Sequence, residues 1–134
     1  MLNNKNDPIF KSREVLENSA VMYFQFTGTE PIFKAHFQTR PILPGIFGIE
    51  LIIETASLFL DKTNGNKRIQ WQLDSISNYR FRKFAEPPCE LTSKATLIDK
   101  DQNGNPVISS VITQDNVTLQ IGILTLKPLV YEVQ

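Results

Sequence analysis

The residues best suited to chemistry in this chain are His36 and Glu50. His36 is the only histidine among 134 residues, and Glu50 follows it by fourteen positions. Between them run Pro41-Ile42-Leu43-Pro44 and a Pro44-Gly45 step, after which the chain turns strongly apolar. Glu50 interrupts that apolar run. An unpartnered carboxylate costs several kcal/mol to bury, so its presence there asks for a reason. Imidazole titrates near neutral pH and can accept a proton, while a carboxyl held in an apolar wall favours its neutral form and can give one up. Gly45 would begin the helix that carries Glu50. Its backbone N–H, with the helix dipole behind it, is placed to stabilise a developing negative oxygen, a contribution of about 3 kcal/mol in a transition state. Glycine permits close approach at that point, and Pro44 sets the entry to the helix. The stretch from His36 to Glu54 therefore reads as an acid/base pair beside a helix N-terminus.

Each of these residues has a competing role. A lone histidine near a loop can be a hydrogen-bonded structural residue, and Glu50 can be paired with Arg40, Arg80 or Arg82. The two prolines match a PxxP spacing but also serve as a rigid loop. Glu54, one turn beyond Glu50, is a second carboxylate to which the sequence assigns no role. Phe47 and Trp71 can line a ligand channel or simply fill the core.

These side chains need elements to hold them. Residues 1–8 are polar and end in Asp7-Pro8, a loose tail, and 9–19 is a mixed segment that fits a short strand or a turn of helix. Residues 20–27, AVMYFQFT, are rich in β-branched and aromatic side chains and form a strand ended by Gly28-Thr29-Glu30-Pro31. After Pro44 the period changes. From Ile46 to Leu60 the chain is apolar on nearly every side, which predicts a helix of about fifteen residues wrapped by other elements. Asp61 to Asn66 stops it with an Asn-Gly turn. The rest reads as sheet. Residues 68–84 are one bent strand or two joined by a bulge, broken by Glu86-Pro87-Pro88. Residues 90–99 alternate around Leu91, Ala95 and Leu97. Asp101 to Asn105 is a hairpin turn, residues 106–114 alternate on Val107, Val111 and Thr113, and 117–126 carries Ile121, Ile123 and Leu126. One long helix followed by about four antiparallel strands, in a chain that reads as a single domain over 1–134, defines an α+β fold with a curved sheet around the helix.

Composition narrows the partners. Fourteen basic residues balance fourteen acidic ones, which gives no general attraction to nucleic acid or an anionic membrane. The single cysteine, Cys89, rules out an internal disulfide, and one His with one Cys disfavours a zinc site; no metal is expected. The polar start lacks the apolar core of a signal peptide and no apolar run reaches membrane-spanning length, so a cytoplasmic protein without membrane association is expected.

Two motifs carry a family resemblance. His36-Phe37-x-x-x-Pro41-Ile42-Leu43-Pro44-Gly45-Ile46-x-x-Ile49-Glu50 resembles the signature of the FabA/FabZ-type 3-hydroxyacyl-[acyl-carrier-protein] dehydratases, and Asn78-Tyr79-Arg80-Phe81-Arg82-Lys83 with Pro87-Pro88 is similar to their Asn-x-x-Phe-x-x-Pro strand and turn. The likeness spans residues 20–126. It implies a hotdog fold, with a long central helix wrapped by a curved antiparallel sheet. It also implies dehydration of a 3-hydroxyacyl thioester to the trans-2-enoyl thioester in fatty acid, polyene or polyketide biosynthesis. His36 would be the base, Glu50 the acid and Gly45 N–H the oxyanion donor, while the carbonyl of Ile42 would fix the His36 tautomer. The partners it implies are acyl carrier protein, whose phosphopantetheine brings the substrate so that no further cofactor is needed, and a second hotdog chain. His36 and Glu50 would come from different subunits of a homodimer, or of a heterodimer with a homologous subunit. Arg80, Arg82 and Lys83 would either greet the phosphopantetheine or carrier, or be ordinary exposed strand charges.

The sequence also departs from that family. Ala35 and Gln38-Thr39 stand where it has Gly-His-Phe-Pro-Gly, Glu54 replaces a glutamine, and the leading segment is short. These departures suit a specialised pathway member. They leave two other readings open: a hotdog thioesterase, which would not need the His-to-Glu phasing, and a catalytically silent hotdog subunit paired with an active one.

Overall fold

Backbone hydrogen bonding forces the β-rich remainder of this chain into a single sheet. The computed structural model describes residues 10–34, 42–63 and 69–129. His36, Arg40, Pro41, the tail over 1–8 and the Asn64-Gly65 turn lie outside them. Six strands, β1 (Phe10–Val15), β2 (Ser19–Phe26), β3 (Trp71–Phe81), β4 (Cys89–Lys100), β5 (Pro106–Gln114) and β6 (Val117–Pro128), pair antiparallel in the order β1-β2-β4-β5-β6-β3. Two helices interrupt them: a single turn, α1 (Pro31–Lys34), and α2 (Gly45–Thr63), nineteen residues long. This is the α+β hotdog arrangement that the sequence predicts. The helix touches β2, β3, β4, β5 and β6. Five strands about 4.8 Å apart are wider than one helix of about 10 Å, so the sheet must curl around it.

Side-chain parity fixes which face meets the helix. Met22, Phe24 and Phe26 on β2, Leu91 and Ala95 on β4, Ile108 and Ile112 on β5, and Leu124 and Leu126 on β6 are buried against α2. The helix answers with Phe47, Leu51, Ile52, Thr55, Ala56, Phe59 and Leu60, spaced for one face. Two expectations need correcting here. The alternation on β5 does not run inward through Val107 and Val111, which are half-buried on the opposite face. Both faces of this strand carry β-branched residues, so the period was legible and its phase was not. Nor is α2 buried all round: Ile46 and Glu50 are exposed, and Ile53, Glu54 and Ser57 are half-buried on the same side. Ile46 and Glu50 on that side face away from the described strands.

Polar groups lock the helix to the sheet at one interior point. Thr55 Oγ1 donates to the Leu51 carbonyl at 2.7 Å and shares a 2.7 Å hydrogen bond with Ser93 Oγ. Both hydroxyls are fully buried, so each needs the other. The turn after β2 is closed by Glu30, whose carboxylate accepts from the N–H groups of Thr27 and Gly28 and from the Thr27 hydroxyl, at 2.8–2.9 Å.

Candidate active site at the start of the long helix

Three hydrogen bonds fix how the chain enters α2. Leu43 N–H donates to the Ala85 carbonyl at 2.8 Å, forming an isolated bridge that ties the entry loop to the segment after β3. Phe47 N–H donates to the Pro44 carbonyl at 3.0 Å, closing the first turn. The third contact comes from β6, where the Gln120 side-chain Nε2 donates to the Gly45 carbonyl at 3.2 Å. Gln120 is only 7% exposed, and its Oε1 accepts from the Tyr79 hydroxyl at 2.8 Å.

Local sequence explains why these groups meet. Asn78 takes a positive φ of 51° within an irregularity of β3 between Ser77 and Arg80. Asparagine tolerates that conformation, and such a bulge re-aims the following side chain. Tyr79 beyond it is half-buried, with its ring 5.0 Å from that of Phe81. Gln120 in turn needs a gap in the helix surface, and Gly48 provides one. A Cβ there would overlap the Gln120 amide oxygen and lie 2.5 Å from its nitrogen. At Gly45 a Cβ would come within 2.8 Å of the Phe81 ring, so the helix start and the end of β3 are in direct contact.

These residues enclose a cleft of about 210 Å³ lined by Leu43, Gly45, Phe81, Arg82, Lys83, Phe84 and Gln120. Its character is mixed. Phe81 and Phe84, 53% and 68% exposed, give it apolar walls, and Arg82 and Lys83 add two cations beside the positive end of the helix dipole. Such a place favours a partly apolar ligand that carries or develops negative charge near the helix start.

The sequence candidates divide accordingly. Gly45, Arg82 and Lys83 come together in the cleft, and Arg80 is exposed just before it on β3. Glu50 follows Gly45 by five residues, about 7.5 Å along the axis. It is exposed rather than set in an apolar wall, because it lies on the side of α2 that the sheet does not cover. Ile42 is buried beside the bridge at Leu43. Phe47 belongs to the core, its ring 6.1 Å from Phe26 in an edge-on contact. Trp71 stands apart. Its indole N–H donates to Asp61 Oδ1 at 3.2 Å near the far end of α2, about 24 Å of helix from Gly45. His36 lies outside the described residues.

Sequence reasoning passed over Gln120 and Tyr79. Gln120 shares parity with Leu124 and Leu126, both fully buried, so an amide on the core-facing side of a strand was the available signal. Burial pushes the Tyr79 phenol up to about 12, which keeps it a hydrogen-bond donor at any physiological pH. Among the described residues no group of three or more His, Cys, Asp and Glu side chains could hold a metal ion, and no helix is long and apolar enough to cross a membrane.

A curled sheet around one long helix, with a cleft at the helix start, defines a hotdog domain. The family model for ApeI-like proteins, described as ApeI dehydratase, matches residues 12–120. The chain therefore belongs to the ApeI-like dehydratase family, whose relatives are of the FabZ type. It is 27% identical over 96 residues to the 3-hydroxyacyl-[acyl-carrier-protein] dehydratase FabZ of Buchnera aphidicola. That match takes in 70% of this chain and 59% of the relative, so it spans about three-fifths of the relative's length. Among solved structures, the fold matches the dehydratase heterocomplex ApeI:P from Xenorhabdus doucetiae with a TM-score of 0.69 at 22% identity, over 89% of this chain and 96% of that one. It matches a candidate thioesterase of Lactococcus lactis equally well, with a TM-score of 0.69 at 14% identity over 95% and 97%.

Proposed function

We propose that this protein removes water from a 3-hydroxyacyl thioester carried on acyl carrier protein, giving the trans-2-enoyl thioester. The observation that supports this most is the cleft at the start of α2, where Gly45, the apolar Phe81 and Phe84, and the cationic Arg82 and Lys83 meet. Its features suit a thioester carbonyl at the helix end, an acyl or pantetheine chain against the rings, and a phosphate or an acidic carrier at the cations. In this reading His36 takes the α-proton, and charge grows on the thioester oxygen opposite Gly45 N–H. The C–O bond at C3 then breaks as Glu50 gives its proton to the departing hydroxyl, which leaves as water. No redox cofactor enters the balance, because no electron is gained or lost.

The site needs a second chain in this reading. Glu50 is exposed on the uncovered side of α2, and a neighbour there would supply the apolar surroundings that an acid role calls for. β3 is an edge strand with exposed Ile76 and Phe81, the kind of edge that a second sheet pairs with. The partner is a second copy or a homologous subunit; the Xenorhabdus neighbour is described as a heterocomplex.

Thioester hydrolysis is the second reading, favoured by the equal match to the candidate thioesterase. Incubating the protein with a 3-hydroxyacyl-carrier-protein thioester and following intact mass separates the two. Dehydration predicts loss of one water with the thioester intact, whereas release of free carrier thiol would favour hydrolysis. No change in mass would point to a silent subunit.

A further inference from the structure

Among the described residues lining the cleft, Gln120 carries a buried amide that the proposed chemistry leaves without a role. Its partners are specific. Nε2 holds the Gly45 carbonyl at 3.2 Å and Oε1 is held by the Tyr79 hydroxyl at 2.8 Å. The Gly45 carbonyl can only accept, so it fixes which end of the amide faces the helix, and the Tyr79 hydroxyl donates to the other end. The Gly45 carbonyl and the Ile46 N–H are opposite edges of one planar trans peptide. Gripping the carbonyl therefore sets the direction of that N–H. The preceding peptide is held likewise, since the Pro44 carbonyl accepts from Phe47 N–H and Gly45 N–H lies on its opposite edge. The first two N–H groups of α2 are thus aimed by their own carbonyls, one through the helix turn and one through Gln120. Gly48 leaves the room for this, and the bulge at Asn78 delivers Tyr79.

We propose that Gln120 is a positioning residue, its amide steadied by Tyr79 so that its grip on the Gly45 carbonyl keeps the helix start, and with it Gly45 N–H, aligned for the thioester oxygen. This rests on the dehydratase reading above. Gln120 does not exchange protons with substrate. It keeps Gly45, whose N–H is the oxyanion donor, from rotating as charge develops, which matters in the transition state more than in binding.

Three variants test it: Gln120→Leu, which keeps the bulk and removes both hydrogen bonds; Gln120→Glu, which places carboxylate oxygens against the Gly45 carbonyl; and Tyr79→Phe, which removes the donor that steadies the far end of the amide. Expected are a kcat about tenfold or more lower for Gln120→Leu with KM within about twofold, a larger loss for Gln120→Glu at neutral pH, and an intermediate one for Tyr79→Phe. Amide hydrogen exchange at Gly45 and Ile46 provides a readout independent of turnover, and it should quicken in all three while exchange in the β4–β5 core stays unchanged. Unchanged kcat and unchanged exchange at these amides in Gln120→Leu would overturn the proposal. So would losses in kcat that merely follow a general loosening of the whole domain. If the wild-type protein makes no enoyl product, the dehydratase reading fails, and exchange at Gly45 and Ile46 still decides whether Gln120 holds the helix start.

Discussion

Gly48→Ala puts two well-measured effects in opposition at one position. Gly48 lies in the first turn and a half of a nineteen-residue helix, and replacing a helical glycine with alanine ordinarily stabilises by about 1 kcal/mol. Here the added methyl would overlap the Gln120 amide, whose oxygen and nitrogen already hold Tyr79 and Gly45. Displacing that amide removes two hydrogen bonds and leaves the Tyr79 hydroxyl without its acceptor, at a cost of about 1–3 kcal/mol. Overpacking adds about 1–3 kcal/mol unless the strand moves away. The overlap should win, and net destabilisation of about 2–3 kcal/mol is expected. In a domain of this size that lowers the melting temperature by roughly 6–12 °C. Urea unfolding at one fixed protein concentration measures it, so that any subunit association is held constant. The decisive control is the same substitution in a Gln120→Ala background, where the space is free and the alanine should stabilise by about 0.5–1 kcal/mol. A neutral or stabilising Gly48→Ala in the wild-type background would refute the reasoning. Equal destabilisation in both backgrounds would also do so, since the coupling to Gln120 would then be absent.

Other consequences follow from buried polar groups. Burial opposes ionisation of Glu30, yet the N–H groups of Thr27 and Gly28 and the Thr27 hydroxyl together hold its carboxyl below the usual range. A depressed folded value means its stabilisation is present above the ordinary carboxylate pKa and is lost as pH falls through the folded one. Melting curves over a pH series should therefore show Glu30→Gln less stable than wild type near neutrality, with the gap closing in acid. Thr55→Val should cost about 1–2 kcal/mol by leaving Ser93 short of its partner. Adding Ser93→Ala to it should cost less than the two single changes summed, which a denaturation cycle would reveal. Burial, with Glu30 nearby, pushes the Cys89 thiol up to about 11, so a disulfide-exchange reagent at neutral pH should label it only as fast as the domain opens. Rapid labelling of the native protein would contradict the burial.

How much of this was legible in the sequence differs from element to element. The long helix announced itself as an apolar run of about fifteen residues, too long for a strand, between Pro44-Gly45 and the Asn-Gly turn. The hairpin at Asp101 was equally plain, where one carboxylate oxygen accepts from the N–H groups of Asn103 and Asn105. Strand phase was not legible on β5 and β6. Val107, Val111, Ile121 and Ile123 are as apolar as the residues that face the core, so alternation alone could not choose between the two faces. Exposure of Glu50 was hidden for a related reason: Ile46 and Ile53 beside it suggested burial, but the sheet of a single chain covers only one side of α2. The motif around Pro44-Gly45 was readable because its spacing is short and local. Gln120 lies 75 residues from Gly45, and a contact across that separation becomes visible only when strand order brings β6 against the helix start.

The central claim is that this site removes water from a 3-hydroxyacyl thioester, with Glu50 as the acid and His36 as the base. Its most direct test is single-turnover formation of the enoyl thioester by wild type, Glu50→Gln and His36→Ala, each first shown to melt as the wild type does. The account predicts enoyl product from wild type and a fall of several orders of magnitude in each variant. Full activity in either variant, or free thiol in place of enoyl product from the wild type, would contradict it.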